Sequence, residues 1–365
     1  MILDRYFARR FMQGFMVIGM VFLTLILLID LIEQLRRFEG DDVSIGQIFT
    51  LTLLSAPAAI NEILPLLMIL STIVLFVGLA RSSELVVTRA TGRSGLRVLV
   101  APVLVAACIG GLAVSTLNPM VAATSERVQI LGDTYRNGGP SVLSLSGEGL
   151  WLRQGDDQGQ SVIHATGFEE DSRTLQGVTI LTYAPDGGPL RQIDAESAQL
   201  VGDQWILRNA KVWPLIAGIN PETNAAFHDT LEIGTTITEE RIRDSIGRRQ
   251  SISIYDLPEM IQQLGEAGFS TKRHEVWLQV ELARPLFLIS MVLIGAAFTM
   301  RHARFGGTGV AVLASILLGF TLYFIRNFAQ VLGENGQIPA ALAAWAPPAA
   351  AIMLALGLLL HAEDG

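Results

Sequence analysis

Residues 98–117 read VLVAPVLVAACIGGLAVSTL, and residues 276–300 read VWLQVELARPLFLISMVLIGAAFTM. As helices, both are long enough to cross about 30 Å of hydrocarbon, which takes about 20 residues. Working outward from this pair gives four more such stretches: Phe11–Leu31, Ile48–Leu79, Thr308–Val331 and Ile338–Leu360. The chain therefore reads as six helical spans, three on each side of one long insert. Composition agrees: of 365 residues 50% are hydrophobic and only 16% charged, with a mean hydropathy of +0.45, too apolar for an ordinary soluble fold of this length.

Ile48–Leu79 exceeds one crossing and contains Pro57 and Pro65, which predicts a kink, a tilt or an interfacial lead-in. Phe11–Leu31 follows Arg5, Arg9 and Arg10 but is too long for a signal peptide. It runs into Leu-Ile-Glu-Gln-Leu-Arg-Arg (31–37) instead of a small-residue cleavage site, so it reads as a retained anchor. The single cysteine, Cys108, falls inside the third span, which excludes a disulfide framework and a cysteine-based zinc site.

Basic residues near the spans set the orientation. With the N-terminus inside, Arg5, Arg9, Arg10, Arg81, Arg89, Arg93, Arg97, Arg301 and Arg304 face the cytoplasm, and the opposite short loops carry only Arg36 and Arg37. Both termini are expected in the cytoplasm and the insert outside. The expected organisation is a first membrane segment 1–118, an external domain 119–274 and a second membrane segment 275–365.

The insert has another texture. GLWLR (149–153), SVIHATGF (161–168), GVTILTYA (177–184), SAQLVGDQWILRNAKVWPL (197–215) and TLEIGTTIT (230–238) are rich in β-branched and aromatic residues. Turn signals such as DDQG and PDGGP separate them. The spacing predicts an antiparallel sandwich or jelly roll. Between Met120 and Lys272, 21 acidic against 12 basic residues leave a net charge of −9, which argues against nucleic acid as a partner. A short helix over 255–266 follows, with Leu257, Met260, Ile261 and Leu264 on one face.

Most enzyme classes lack their signatures here. No phosphate-binding GxxxxGK[ST] loop occurs, so no ATP hydrolysis by that route is expected. The five histidines are scattered, His274-Glu275 lacks the second histidine of a zinc protease helix, and there is no GxSxG elbow. No catalytic residue, metal site or cofactor is assigned.

The most informative polar stretch is RSSELVVTRATGRSG (81–95), between the second and third spans. Ser82 or Ser83 can cap a short helix that Gly92 ends, placing Glu84 at its start beside Leu85, Val86 and Val87. On spacing alone the stretch serves either as a solvated connector or as a helix for a soluble partner to grip. Polar and ionisable residues in or bordering the spans form a second set, costly in hydrocarbon unless they face a cavity or a partner. They are Asp30, Glu33, Arg36 and Arg37 at the end of span one, Asn61 and Glu62 in span two, Glu281 and Arg284 in span four, and Arg326 and Asn327 in span five. Glu281 and Arg284 are three apart and can pair within one helix. Arg36 and Arg37 either snorkel to the headgroups or bind phosphate.

SELVVTRATG (83–92) resembles the coupling helix of the lipopolysaccharide export permease family. LDRYFARRF (3–11), the end of span one, GLWLR and Gln337-Ile338-Pro339 resemble the G-type branch, and the similarity runs the length of the chain. The resemblance implies a helical membrane protein with an inserted jelly-roll-like periplasmic domain in the bacterial inner membrane. It implies a permease of an ABC transporter that extracts lipopolysaccharide and passes it toward the outer membrane. Implied partners are a second, F-type permease, a dimeric cytoplasmic ATPase, a single-span bitopic periplasmic subunit, a periplasmic bridge protein and lipopolysaccharide. Glu84, Leu85, Val86, Val87 and Arg89 would form the ATPase-coupling group, on a helix over about 82–92. Asp30, Glu33, Arg36, Arg37 and Arg326 would form the substrate rim and gate, with Asp30 acidic where related permeases can carry a lysine. The groove of the jelly roll would open near Leu143–Trp151. The competing readings are an intramembrane acid–base enzyme using Asp30, Glu62 or Glu281, and a membrane sensor or assembly scaffold whose β domain binds a ligand.

Overall fold

The computed structural model describes residues 2–39, 43–90, 94–137, 143–146, 149–156, 159–169, 174–184, 188–202, 204–215, 218, 220–235, 252–266, 270–300 and 308–364. Arg93, Arg301 and Arg304, used above for orientation, lie outside these, as do the side chains of Arg89 and of 143–150 at the expected groove entrance.

Six helices are long and apolar enough to cross a membrane. Span one is Ile2–Arg37, span two Ile45–Arg81, span four Lys272–Thr299, span five Thr308–Glu334 and span six Ala340–Asp364. Span three starts at Gly95, where the Ser94 hydroxyl caps the backbone N–H of Arg97. It runs to Leu112, passes through a π turn at Ala113–Leu117, and continues as a helix over Asn118–Asn137. Ser44 opens span two with a capping box, accepting from the Gln47 N–H while the Gln47 side chain accepts from the Ser44 N–H. Span two is one helix through both Pro57 and Pro65, since neighbouring packed helices make up for the donors those residues lack.

The chain divides into two units. The first, residues 1–129, 250–255 and 272–365, holds the spans. Its core includes Phe7 and Phe11 of span one, Met68 and Phe76 of span two, Val98 of span three, and Leu288 and Ile294 of span four. Small residues let the helices close up. A Cβ at Gly110 would lie 2.5 Å from the Pro285 Cα, and one at Gly295 would lie 2.9 Å from the Thr72 Cβ. Asn118, just past the π turn, accepts the Ile254 N–H at 2.8 Å, and the Tyr255 hydroxyl donates to the Ser115 carbonyl at 3.1 Å. The turn at Ile254–Tyr255 is thus tied to the π turn of span three.

The second unit, residues 130–249 and 256–271, holds a seven-stranded sheet. Its strands β1 (Leu143–Ser146), β2 (Gly149–Asp156), β3 (Gly159–Glu169), β4 (Thr174–Tyr183), β5 (Pro189–Val201), β6 (Gln204–Pro214) and β7 (Ala226–Gly234) pair antiparallel in chain order. The all-β insert is as expected, but among the described residues it is a meander, each strand bonding the next. A jelly roll also pairs strands that are not consecutive in the chain, and the ladder of the described strands has no such pair. One face buries Ile163, Leu175, Ile180, Ile193, Trp205 and Leu207, with Leu264 of the amphipathic helix Leu257–Glu266 in the same core.

Candidate functional site

The connector between spans two and three is a helix of seven residues, Glu84–Ala90. Span two ends where the Ser82 N–H donates to the Gly78 carbonyl and the Ser83 N–H to the Ala80 carbonyl. Ser83 adopts φ 58°, a left-handed conformation that turns the chain sharply into the helix. Glu84 is its first residue, and its carboxylate points toward span one. Oε1 accepts from the Ser82 hydroxyl at 2.7 Å and from Arg10 Nη1 at 2.9 Å. Oε2 accepts from the Tyr6 hydroxyl at 2.8 Å and from the same Nη1 at 3.0 Å. Arg10 also donates to the Tyr6 hydroxyl at 2.6 Å and lies 5.7 Å from its ring centre.

Burial pushes the Glu84 carboxyl up, but the hydrogen bonds from Ser82, Tyr6 and Arg10 and the Arg10 charge outweigh it and hold it below the usual carboxylate range. The Arg10 and Glu84 side chains remain 34% and 36% exposed, so after solvent screening the pair contributes about 1 kcal/mol at most.

The rest of the connector helix has two faces. Leu85 is 4% exposed and belongs to the protein's own core, and Thr88 is buried, donating its hydroxyl to the Glu84 carbonyl. Leu85 therefore seats the helix on the spans. Val86 and Val87, 49% and 64% exposed, are the apolar side chains left facing out.

At the far end of span one, Asp30 is half-buried, and Glu33, Arg36 and Arg37 are exposed. Arg37 lies 5.9 Å from the ring centre of Phe38, which is buried. Arg326 takes another place. Its guanidinium lies 4.9 Å from the Phe287 ring centre, within electrostatic reach of Arg284 and Glu281. Arg284 in turn donates to the Asn61 carbonyl at 3.2 Å, to the Asn61 side chain and to Glu281. Arg284 thus knots span four to span two, Arg326 brings span five against Phe287 of span four, and Glu281 and Arg284 form the intrahelical pair that their spacing suggested. No contact joins Asp30 to Arg326 among the described residues. Beside the knot, a cavity of about 140 Å³ is lined by Glu62, Leu66, Ile69, Met291, Phe320 and Tyr323, among others.

Sequence reasoning found Glu84 but not Tyr6 and Arg10, which lie 78 and 74 positions away. Arg10 carried weight as a charge that orients the first span and, with Tyr6, as part of LDRYFARRF, not as a partner of Glu84.

Residues 5–361 match the family described as lipopolysaccharide export system permease LptF/LptG. The chain is 24% identical to the lipopolysaccharide export system permease protein LptG of Haemophilus influenzae, over 99% of each chain. It is 23% identical to the protein of the same name from Escherichia coli K12, over 99% of this chain and 98% of that one.

Proposed function

The chain belongs to the lipopolysaccharide export system permease LptF/LptG family, and on that premise we propose that it is the G-type permease subunit that carries lipopolysaccharide out of the inner membrane. It works beside a second, F-type permease. A separate dimeric cytoplasmic ATPase supplies the energy, since no phosphate-binding loop occurs in the sequence. A single-span bitopic subunit and a periplasmic bridge protein receive the cargo. Both termini and the connector helix face the cytoplasm, and the β unit faces the periplasm.

Two such permeases enclose a wedge-shaped cavity between spans one, two and five of each. Apolar walls accommodate acyl chains, while Arg36 and Arg37, which can fork onto phosphate oxygens, meet the phosphorylated head. Asp30, Glu33 and Arg326 contribute to the gate where span one of one permease faces span five of the other. ATP-driven closure of the partner pushes on the connector helix through Glu84, Val86, Val87 and Arg89, and the cavity narrows.

The observation that carries this reading is the connector helix: a short element between two spans, seated by Leu85, that leaves Val86 and Val87 bare. Purification of the tagged chain from membranes tests it. Co-isolation of a soluble ATPase and of lipopolysaccharide is expected, with less ATPase recovered on Glu84→Ala. A solitary chain with neither would favour the sensor or scaffold reading instead.

A further inference from the structure

Covalently, the connector helix joins spans two and three only. A push on it has no direct path into span one through the backbone. Its polar contacts provide one: Tyr6 and Arg10 of span one both donate hydrogen bonds to the Glu84 carboxylate. Beneath this polar group, Phe7 and Phe11 of span one share a core with Leu79 of span two and Leu85 of the connector helix. Arg10 also passes over Gly78 of span two, where a Cβ would lie 3.5 Å from Nη2. One guanidinium of span one thus bonds the connector helix and lies close to span two.

We propose that Arg10, steadied by Tyr6, is a positioning residue that clasps the connector helix to span one, so that the two move as one body when a partner pushes. This rests on the reading of the connector helix as the element that the ATPase engages. Span one is one unbroken helix from Ile2 to Arg37. At 1.5 Å per residue it carries a displacement at Arg10 about 39 Å along, to Arg36 at its other end. The clasp thus ties the force-receiving helix to the basic rim. It does not compete with docking, because a carboxylate offers about four lone-pair sites and the Glu84 side chain is 36% exposed. A partner cation can join the group from outside while Arg10 holds it from inside.

Two arms test this on the full chain. In the first, the purified protein in lipid nanodiscs, without partners, is followed by amide hydrogen exchange. Exchange over 84–90 is expected to rise about two- to fivefold on Arg10→Gln, the loss of partly screened bonds to a charged group, and much less on Arg10→Lys. Unchanged exchange overturns the clasp. In the same arm the charge exchange of R10E with E84R is expected to restore protection above that of either single variant. In the second, cells that depend on this chain carry R10E or R10K. R10E is expected to lower lipopolysaccharide delivery about fivefold, the effect of losing roughly 1 kcal/mol of coupling, while the ATPase still co-isolates and hydrolyses ATP. R10K keeps most of the delivery. A silent R10E, or an R10K as impaired as R10E, overturns transmission through Arg10. If the unaltered chain recovers neither ATPase nor lipopolysaccharide, the functional reading falls, and the exchange arm still decides the clasp.

Discussion

Glu281 is 3% exposed, and its carboxylate shares Arg284 with Asn61 of span two. A buried charge deprived of its partner costs far more than the pair itself contributes, about 3–5 kcal/mol. Glu281→Ala is therefore expected to lower the unfolding midpoint of the purified protein sharply. The joint change Glu281→Leu with Arg284→Met, which spares Arg284 its unpaired burial but leaves Arg326 without a counter-charge, should recover only part of that loss. Thermal unfolding in detergent measures both. Glu84 answers to pH instead. Its folded carboxyl lies below its ordinary value of 4.5, so its contribution is present above that value and is lost as pH falls through the lower folded one. Hydrogen exchange over 84–90, corrected for intrinsic rates, is expected to quicken as pH drops through that window, and Glu84→Gln should abolish the dependence. The two carboxylates differed in how much the sequence revealed. Glu281 and Arg284 sit three apart on one helix, so their pairing follows from helical geometry. Glu84 meets Arg10 only because spans one and two pack side by side, and no spacing rule reports a contact across 74 positions.

Among the elements, the spans were legible because crossing a bilayer sets a length and a polarity and little else. The sheet was harder, because its buried face changes parity. Leu175 and Val178 in β4 are both buried although three apart, and the same happens at Ala195 and Ala198 in β5 and at Leu207 and Ala210 in β6. Gly177, at φ 57°, and Asn209, at φ 51°, sit within these intervals. The pairing steps over Gly177 between Gln176 and Val178, and over Asn209 between Arg208 and Ala210. The register is the same on both sides of each gap, so the strands turn over locally at a left-handed residue with nothing inserted, and the Asn209 amide donates to Glu196 across the pair at 2.6 Å. Strict alternation would place half of this core on the wrong face, and nothing short of the pairing itself reveals the shift. Gly177→Ala is expected to cost about 1–3 kcal/mol, because its Cβ would lie 2.3 Å from the Thr166 Oγ1 at a left-handed φ. Limited proteolysis of the β unit in the full chain should then become faster. Gly110→Ala should do comparable harm between spans three and four, where the obstacle is the Pro285 backbone, which no rotamer change can relieve. Its readout is the thermal midpoint.

For the whole molecule, the mechanism demands that the connector helix and the β unit face opposite sides of the membrane. The sequence supports this through its arginines, which cluster before span one and between spans two and three and thin out at the far ends. In chain order one helix long and apolar enough to cross a membrane, span three, lies between the connector helix and the sheet. The chain is suited to a direct test, since its single thiol is Cys108 and replacing it by serine leaves a background free of cysteine. Val87→Cys reports from the exposed face of the connector helix. Glu222→Cys reports from the β unit, where Glu222 is an exposed partner of Lys211 and Trp213. With a membrane-impermeant maleimide on intact spheroplasts, Glu222→Cys is expected to label at once and Val87→Cys only after permeabilisation. The reverse pattern would put the β unit in the cytosol, away from any periplasmic acceptor, with the valines out of a cytoplasmic motor's reach. Adding the ATPase to permeabilised membranes extends the experiment. Protection of Val87→Cys, with Glu222→Cys unaffected, is expected if the partner covers the face that the fold leaves bare.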